Sequence, residues 1–109
     1  MLYELRVYTP QPGKLEALQA RFRDHTRRIF ARHGMESVGY WVQVSPEDGA
    51  GDLVYIIYHA DRATAETNWE AFRADEEWIA RKAESEQNGP LVAKITSQYL
   101  EPTDFSGLR

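Results

Sequence analysis

Few side chains in this 109-residue sequence could act on a substrate, and His25 leads them. It falls between Phe22 and Ile29 on a stripe of apolar residues at helical spacing. An imidazole titrates near neutrality, so one held between a helix and a sheet can serve as general acid or base. The plainer alternative is a buried imidazole bonded to a neighbour such as a tyrosine hydroxyl, and a haem or metal ligand is the third. Near the N-terminus Glu4, Arg6 and Tyr8 share one face of a strand, opposite Tyr3, Leu5 and Val7. The apolar set reads as the core face. That leaves Glu4, Arg6 and Tyr8 to meet a partner subunit, where Glu4 and Arg6 pair off charge that is costly to bury. Arg6 could instead anchor an anionic ligand there.

Aromatics form the other candidate set. Most of Tyr3, Tyr40, Trp41, Tyr55, Tyr58, Trp69, Phe72 and Trp78 belong to a core. Tyr3, Trp41, Tyr55, Trp69 and Trp78 are the choice for the wall of a small-molecule cavity, with Trp69 and Trp78 at its mouth. His33 suits a helix C-terminus, and His59 ends a strand as a rim or pocket residue.

Much other chemistry lacks parts. Without cysteine there is no disulfide framework and no thiolate metal site. The three histidines have no ligand spacing, so no metal site is expected. No Gly-x-Ser-x-Gly elbow and no glycine-rich phosphate loop occurs, which removes serine-hydrolase, ATP and dinucleotide readings and leaves no cofactor implied. Six Lys/Arg lie between Lys14 and His33, but the net charge is −4 and acids dominate from Glu47 to Glu86, so nucleic acid is not the expected partner. No apolar run approaches the roughly 20 residues of a membrane span. The N-terminus enters a strand without a signal-peptide pattern, so the cytosol is the expected location.

The elements that would position these groups are legible. Leu53–His59 is a strand apolar on both faces, which implies cover on both. A single domain of this length supplies one cover, and a second copy is the expected source of the other. Tyr3–Thr9 is a strand and Lys14–His33 a helix closed by Gly34. Glu36–Val44 returns through the polar loop 45–51, a candidate flap, into Leu53–His59. Asp61 or Thr64 caps a third segment carrying Ala65, Trp69 and Phe72, and Asp75 caps a fourth carrying Trp78, Ile79 and Ala83. Leu91–Leu100 is the last strand. The order βαββ(αα)β is the ferredoxin-like α+β arrangement: a four-stranded antiparallel sheet, first and third strands central, helices on one face.

Tyr3-Glu4-Leu5-Arg6-Val7-Tyr8, Pro12-Gly13-Lys14-Leu15, His33-Gly34, Val38-Gly39-Tyr40-Trp41, and Trp69-Glu70-Ala71-Phe72 leading into Asp75-Glu76-Glu77-Trp78 together resemble a NIPSNAP domain across essentially the whole chain. The resemblance implies a dimeric α/β barrel, two ferredoxin-like subunits with their sheets face to face. That superfamily includes cofactor-independent monooxygenases, small isomerases and haem-handling proteins, so the fold alone does not fix a reaction. The expectation is a homodimer binding a small apolar or aromatic molecule between helices and sheet, with cofactor-free oxygenase or isomerase chemistry there. A non-enzymatic assembly module and a haem-handling protein are the alternatives.

Overall fold

The computed structural model describes residues 1–44 and 51–108. Strands β1 (Leu2–Pro10), β2 (Glu36–Val42), β3 (Leu53–His59) and β4 (Val92–Leu100) form one antiparallel sheet in the order β2-β3-β1-β4. The first and third strands are central, as right-handed crossovers require. Helices α1 (Leu15–Arg21) and α2 (Arg27–Arg32) are continuous through a π turn at Phe22–Thr26. Helices α3 (Arg62–Arg73) and α4 (Glu76–Ser85) form the second crossover. Residues 45–50, which include most of the expected flap, lie outside the described residues.

Local chemistry sets the element ends. The Asp61 carboxylate accepts from the Thr64 amide, and Asp75 accepts from the amides of Glu77 and Trp78. Gly34, at φ +76°, closes α2 with Gly34 N–H donating to the Ala31 carbonyl and Met35 N–H to that of Phe30. This is a Schellman cap, and it needs the left-handed conformation that glycine adopts most readily.

Strand pairing decides which side chains face the helices. Glu4 lies opposite Ile57, Arg6 opposite Tyr55 and Tyr8 opposite Leu53, so all six point to one side. That side is the buried one, under Leu18, Phe22, Ile29, Phe30, Trp69 and Phe72. The expectation for Glu4, Arg6 and Tyr8 is therefore corrected. They face their own helices, not a partner subunit, because their hydrogen-bond partners lie within the subunit, on β1, β3, β4 and α3. The opposite face carries Leu5, Val7, Val54, Ile56 and Tyr58, half-buried, and no helix among the described residues covers it. Tyr3 lies on this second face, edge-on to Tyr58. In β2 the register shifts between Ser37 and Gly39, and Trp41 folds its ring over Gly39, where an added Cβ would meet the indole at 2.9 Å.

The helical layer is tied together by charge. Arg28 and Arg32 reach Glu77, and Arg32 and His33 reach Asp75, joining α2 to the start of α4. No helix among the described residues is long and apolar enough to cross a membrane.

Candidate functional site

The helix-facing side of β1 carries a row of polar groups inside an otherwise apolar core. Glu4 is only 2% exposed, and four donors converge on it. Its Oε1 accepts from His59 Nε2 at 2.9 Å and from Trp69 Nε1 at 2.7 Å. Its Oε2 accepts from Arg6 at 2.9 Å and from the Ser97 hydroxyl at 2.7 Å. Burial by itself would raise this carboxyl's pKa. The hydrogen bonds from His59, Ser97, Trp69 and Arg6 outweigh it and hold the pKa down to about 2. Glu4 is thus an anion with both oxygens engaged, suited to balancing Arg6 and unsuited to taking a proton.

Arg6 connects that carboxylate to two phenols. Its Nε donates to the Tyr55 hydroxyl at 3.0 Å and an Nη to Tyr8 at 3.3 Å, while its guanidinium stacks 4.2 Å from the Trp69 ring centre. Burial opposes its charge, but the oxygens of Tyr55, Tyr8 and Glu4 prevail and its pKa is raised. Tyr55 is fully buried, which pushes its phenol well above the usual value and keeps the hydroxyl protonated. That hydroxyl donates to Tyr8 at 2.8 Å. The row runs Glu4, Arg6, Tyr55, Tyr8, and it ends at a cavity.

The cavity, about 380 Å³, lies between β1 and β4 on one side and the π turn, α3 and α4 on the other. Tyr8, Phe22, Phe30, Phe72 and Trp78 give it aromatic walls, Thr26 lies among them, and Val92 and Ile95 line the β4 side. Phe72 and Trp78 lie 4.7 Å apart between ring centres. Arg21 forms a polar edge. Its guanidinium sits 5.2 Å over Trp78 and donates to Ser85 and Glu86, while its buried Nε has no partner among the described residues.

The π turn creates this wall. Arg27 N–H bonds back five residues to the Phe22 carbonyl, and the Thr26 hydroxyl donates to the Arg21 carbonyl at 3.3 Å. The extra residue in the turn puts Thr26, 1% exposed, where an unbroken α-helical stripe would put His25. His25 is consequently turned outward, half-buried, with Nδ1 3.5 Å from Arg28, and it does not line this cavity. The expectation of a pocket imidazole is corrected by that rotation.

The other candidates are dispersed. Trp78 lines the cavity. Trp69 is buried as a donor to Glu4 and is not at the mouth. Tyr55 sits behind Tyr8, and Tyr3 lies across the sheet. Trp41, half exposed, borders a separate cleft of about 560 Å³ with Arg23, Arg27 and Tyr40. Tyr8, Arg21, Thr26 and Phe72 were not among the expected cavity residues. The available signal for Tyr8 was that Glu4, Arg6 and Tyr8 share parity with each other as Tyr55 and His59 do, and a charged face needs such partners. No group of three His, Asp or Glu able to hold a metal ion occurs among the described residues.

Sheet order, a helical layer on one face only and a cavity between the two define a ferredoxin-like α+β protein. The chain belongs to the NIPSNAP family, whose model matches residues 3–107. It is similar to an uncharacterised NIPSNAP domain protein from Burkholderia xenovorans at 24% identity, covering 97% of this chain and 98% of that one, with a TM-score of 0.82. A NIPSNAP family protein of unknown function from Agrobacterium tumefaciens is 23% identical over 100% of this chain and 94% of its own, with a TM-score of 0.84. A protein described as an antibiotic biosynthesis monooxygenase shares the fold at a TM-score of 0.59 and 16% identity, over 94% of this chain and 99% of that one. Comparison with curated proteins finds no match.

Proposed function

We propose that this NIPSNAP protein is a homodimer that binds a small apolar or aromatic molecule in the cavity between helices and sheet. The observation that carries this is the cavity itself, lined by four aromatic side chains plus Tyr8, with polar side chains at Thr26, Arg21 and Glu86 and at the exposed Lys82 and Lys94. Few placed polar groups in an apolar wall are the usual makeup of a small-molecule site. A cavity of about 380 Å³ also argues against a closed assembly module. None of the three histidines lines it, so a haem-handling role would lack an imidazole ligand there.

A second copy is the natural cover for the open face. Leu5, Val7, Val54 and Ile56 form a contiguous apolar surface on two central strands, and such a surface is rarely left to water. A twofold contact buries it against itself. Given the fold shared with the monooxygenase, cofactor-free oxygenation or isomerisation of the bound molecule is the chemistry to assay once a ligand is identified.

Crystals soaked with fluorene, a rigid aromatic hydrocarbon, test the binding. One molecule per chain is expected between Phe22, Phe72 and Trp78. An interior that stays empty at saturating fluorene overturns the proposal.

A further inference from the structure

Tyr8 has its acceptor capacity occupied. Its hydroxyl oxygen receives hydrogen bonds from Arg6 at 3.3 Å and from Tyr55 at 2.8 Å. The direction of the second bond follows from what each hydroxyl can do. Tyr55 is fully buried, its oxygen accepts from Arg6 Nε, and its proton has the Tyr8 oxygen as its one acceptor among the described residues. Were Tyr8 to donate to Tyr55, the Tyr55 proton would be buried without a partner, which is the costly arrangement. Tyr8 therefore accepts twice, using both lone pairs, and its own O–H makes no hydrogen bond among the described residues.

That free proton belongs to a side chain on the cavity wall. Most other polar groups of that wall are already engaged, the Arg21 Nε, which has no partner among the described residues, excepted. The Thr26 hydroxyl donates to the Arg21 carbonyl, Arg21 donates to Ser85 and Glu86, and Lys82 donates to Glu86. Lys94, at the rim on exposed β4, is the remaining cation.

We propose that Tyr8 is the hydrogen-bond donor that selects the cavity's ligand, and that the ligand class is an apolar or aromatic compound bearing a carbonyl, enol or phenolic oxygen. This rests on the cavity being a binding site, and adds which molecules it takes. A hydrocarbon satisfies the walls but leaves the Tyr8 proton unpaired. A carbonyl at that point accepts it. Because Tyr55 and Arg6 fix the phenol from behind, the donor is set in place before the ligand arrives and little ordering is left to binding.

Fluorene and 9-fluorenone separate the two claims, because they share a skeleton and differ by a CH₂ against a carbonyl. Wild-type protein should bind fluorenone about tenfold more tightly than fluorene, the order expected for one buried hydrogen bond. In Tyr8→Phe the preference for fluorenone over fluorene should vanish, with the circular dichroism spectrum of the wild type showing that the variant is folded. The infrared carbonyl stretch of fluorenone bound to wild-type protein gives a readout that needs no variant, and it should move to lower frequency than in hexane. If neither compound binds wild-type protein, the cavity proposal fails and this one with it. If fluorene binds but fluorenone gains nothing, shows an unshifted stretch, or keeps its advantage in Tyr8→Phe, the role of Tyr8 alone is overturned.

Discussion

The two faces of the sheet divide the chemistry in a counterintuitive way. The face covered by helices carries a carboxylate, a guanidinium, two phenol oxygens and an imidazole, whereas the uncovered face of the central strands is apolar. Charge is tolerated inside because every oxygen of Glu4 meets donors fixed by β1, β3, β4 and α3. Apolar surface is tolerated outside only if something covers it. The covered and the open face cannot, then, be told apart here by counting apolar residues. They are told apart by where the hydrogen-bond partners are.

The comparison is broken most severely at Glu4. Glu4→Ala leaves Arg6 as a buried, uncompensated charge and strips His59, Trp69 and Ser97 of their acceptor, so a loss of about 3–5 kcal/mol is expected in denaturant unfolding. A loss below about 1 kcal/mol would mean that the network does little for the fold.

A charge on the open face should act differently. Ile56→Lys places an ammonium against its twofold mate in a dimer, yet in an isolated subunit it only joins a half-buried surface. The expected outcome in sedimentation is dissociation, with the circular dichroism spectrum retained. Unfolding without dissociation would show that this face is part of the subunit's own core.

Acid should sharpen the contrast. The Glu4 pKa is lowered from 4.5 to about 2, so its stabilisation is complete above about 4.5 and fades as pH falls from there toward 2. Glu77 shows the same lowering, to about 2, through hydrogen bonds from Arg28 and Arg32, but that cluster is at the surface. At about 1 M salt, where the Debye length is roughly 3 Å, the surface share should be screened and the Glu4 share should persist. Melting temperatures measured from pH 5 to pH 2 at low and high salt check this. A pH dependence abolished by salt would assign it to the surface instead.

The smallest effect is expected at His25, turned out of the helix–sheet space. His25→Ala should change stability by less than about 0.5 kcal/mol and leave fluorene binding as it was. A large loss of binding would return the imidazole to the site.

The same contrast explains what could be read from the sequence. Period and punctuation carried the fold: the Leu53–His59 run, Gly34 and the Asp61 and Asp75 caps led to the observed sheet order and helix boundaries. The site was less legible for two physical reasons. Alternation in Tyr3–Thr9 yields two faces but not which is inside, and hydrophobicity favoured Tyr3, Leu5 and Val7 when the long-range donors Tyr55, His59 and Trp69 decided for Glu4, Arg6 and Tyr8. The π turn at Phe22–Thr26 left no mark in residue spacing, so the shift from His25 to Thr26 was invisible. Trp78 fell on the cavity because it depends on a helix start that Asp75 announces.

Sedimentation equilibrium of the wild-type protein at micromolar concentration tests most directly whether the apolar face is an interface. A single species of twice 12.6 kDa, turned into a folded species of 12.6 kDa by Ile56→Lys, is the predicted result. A wild-type protein that sediments as a compact 12.6 kDa particle would contradict it.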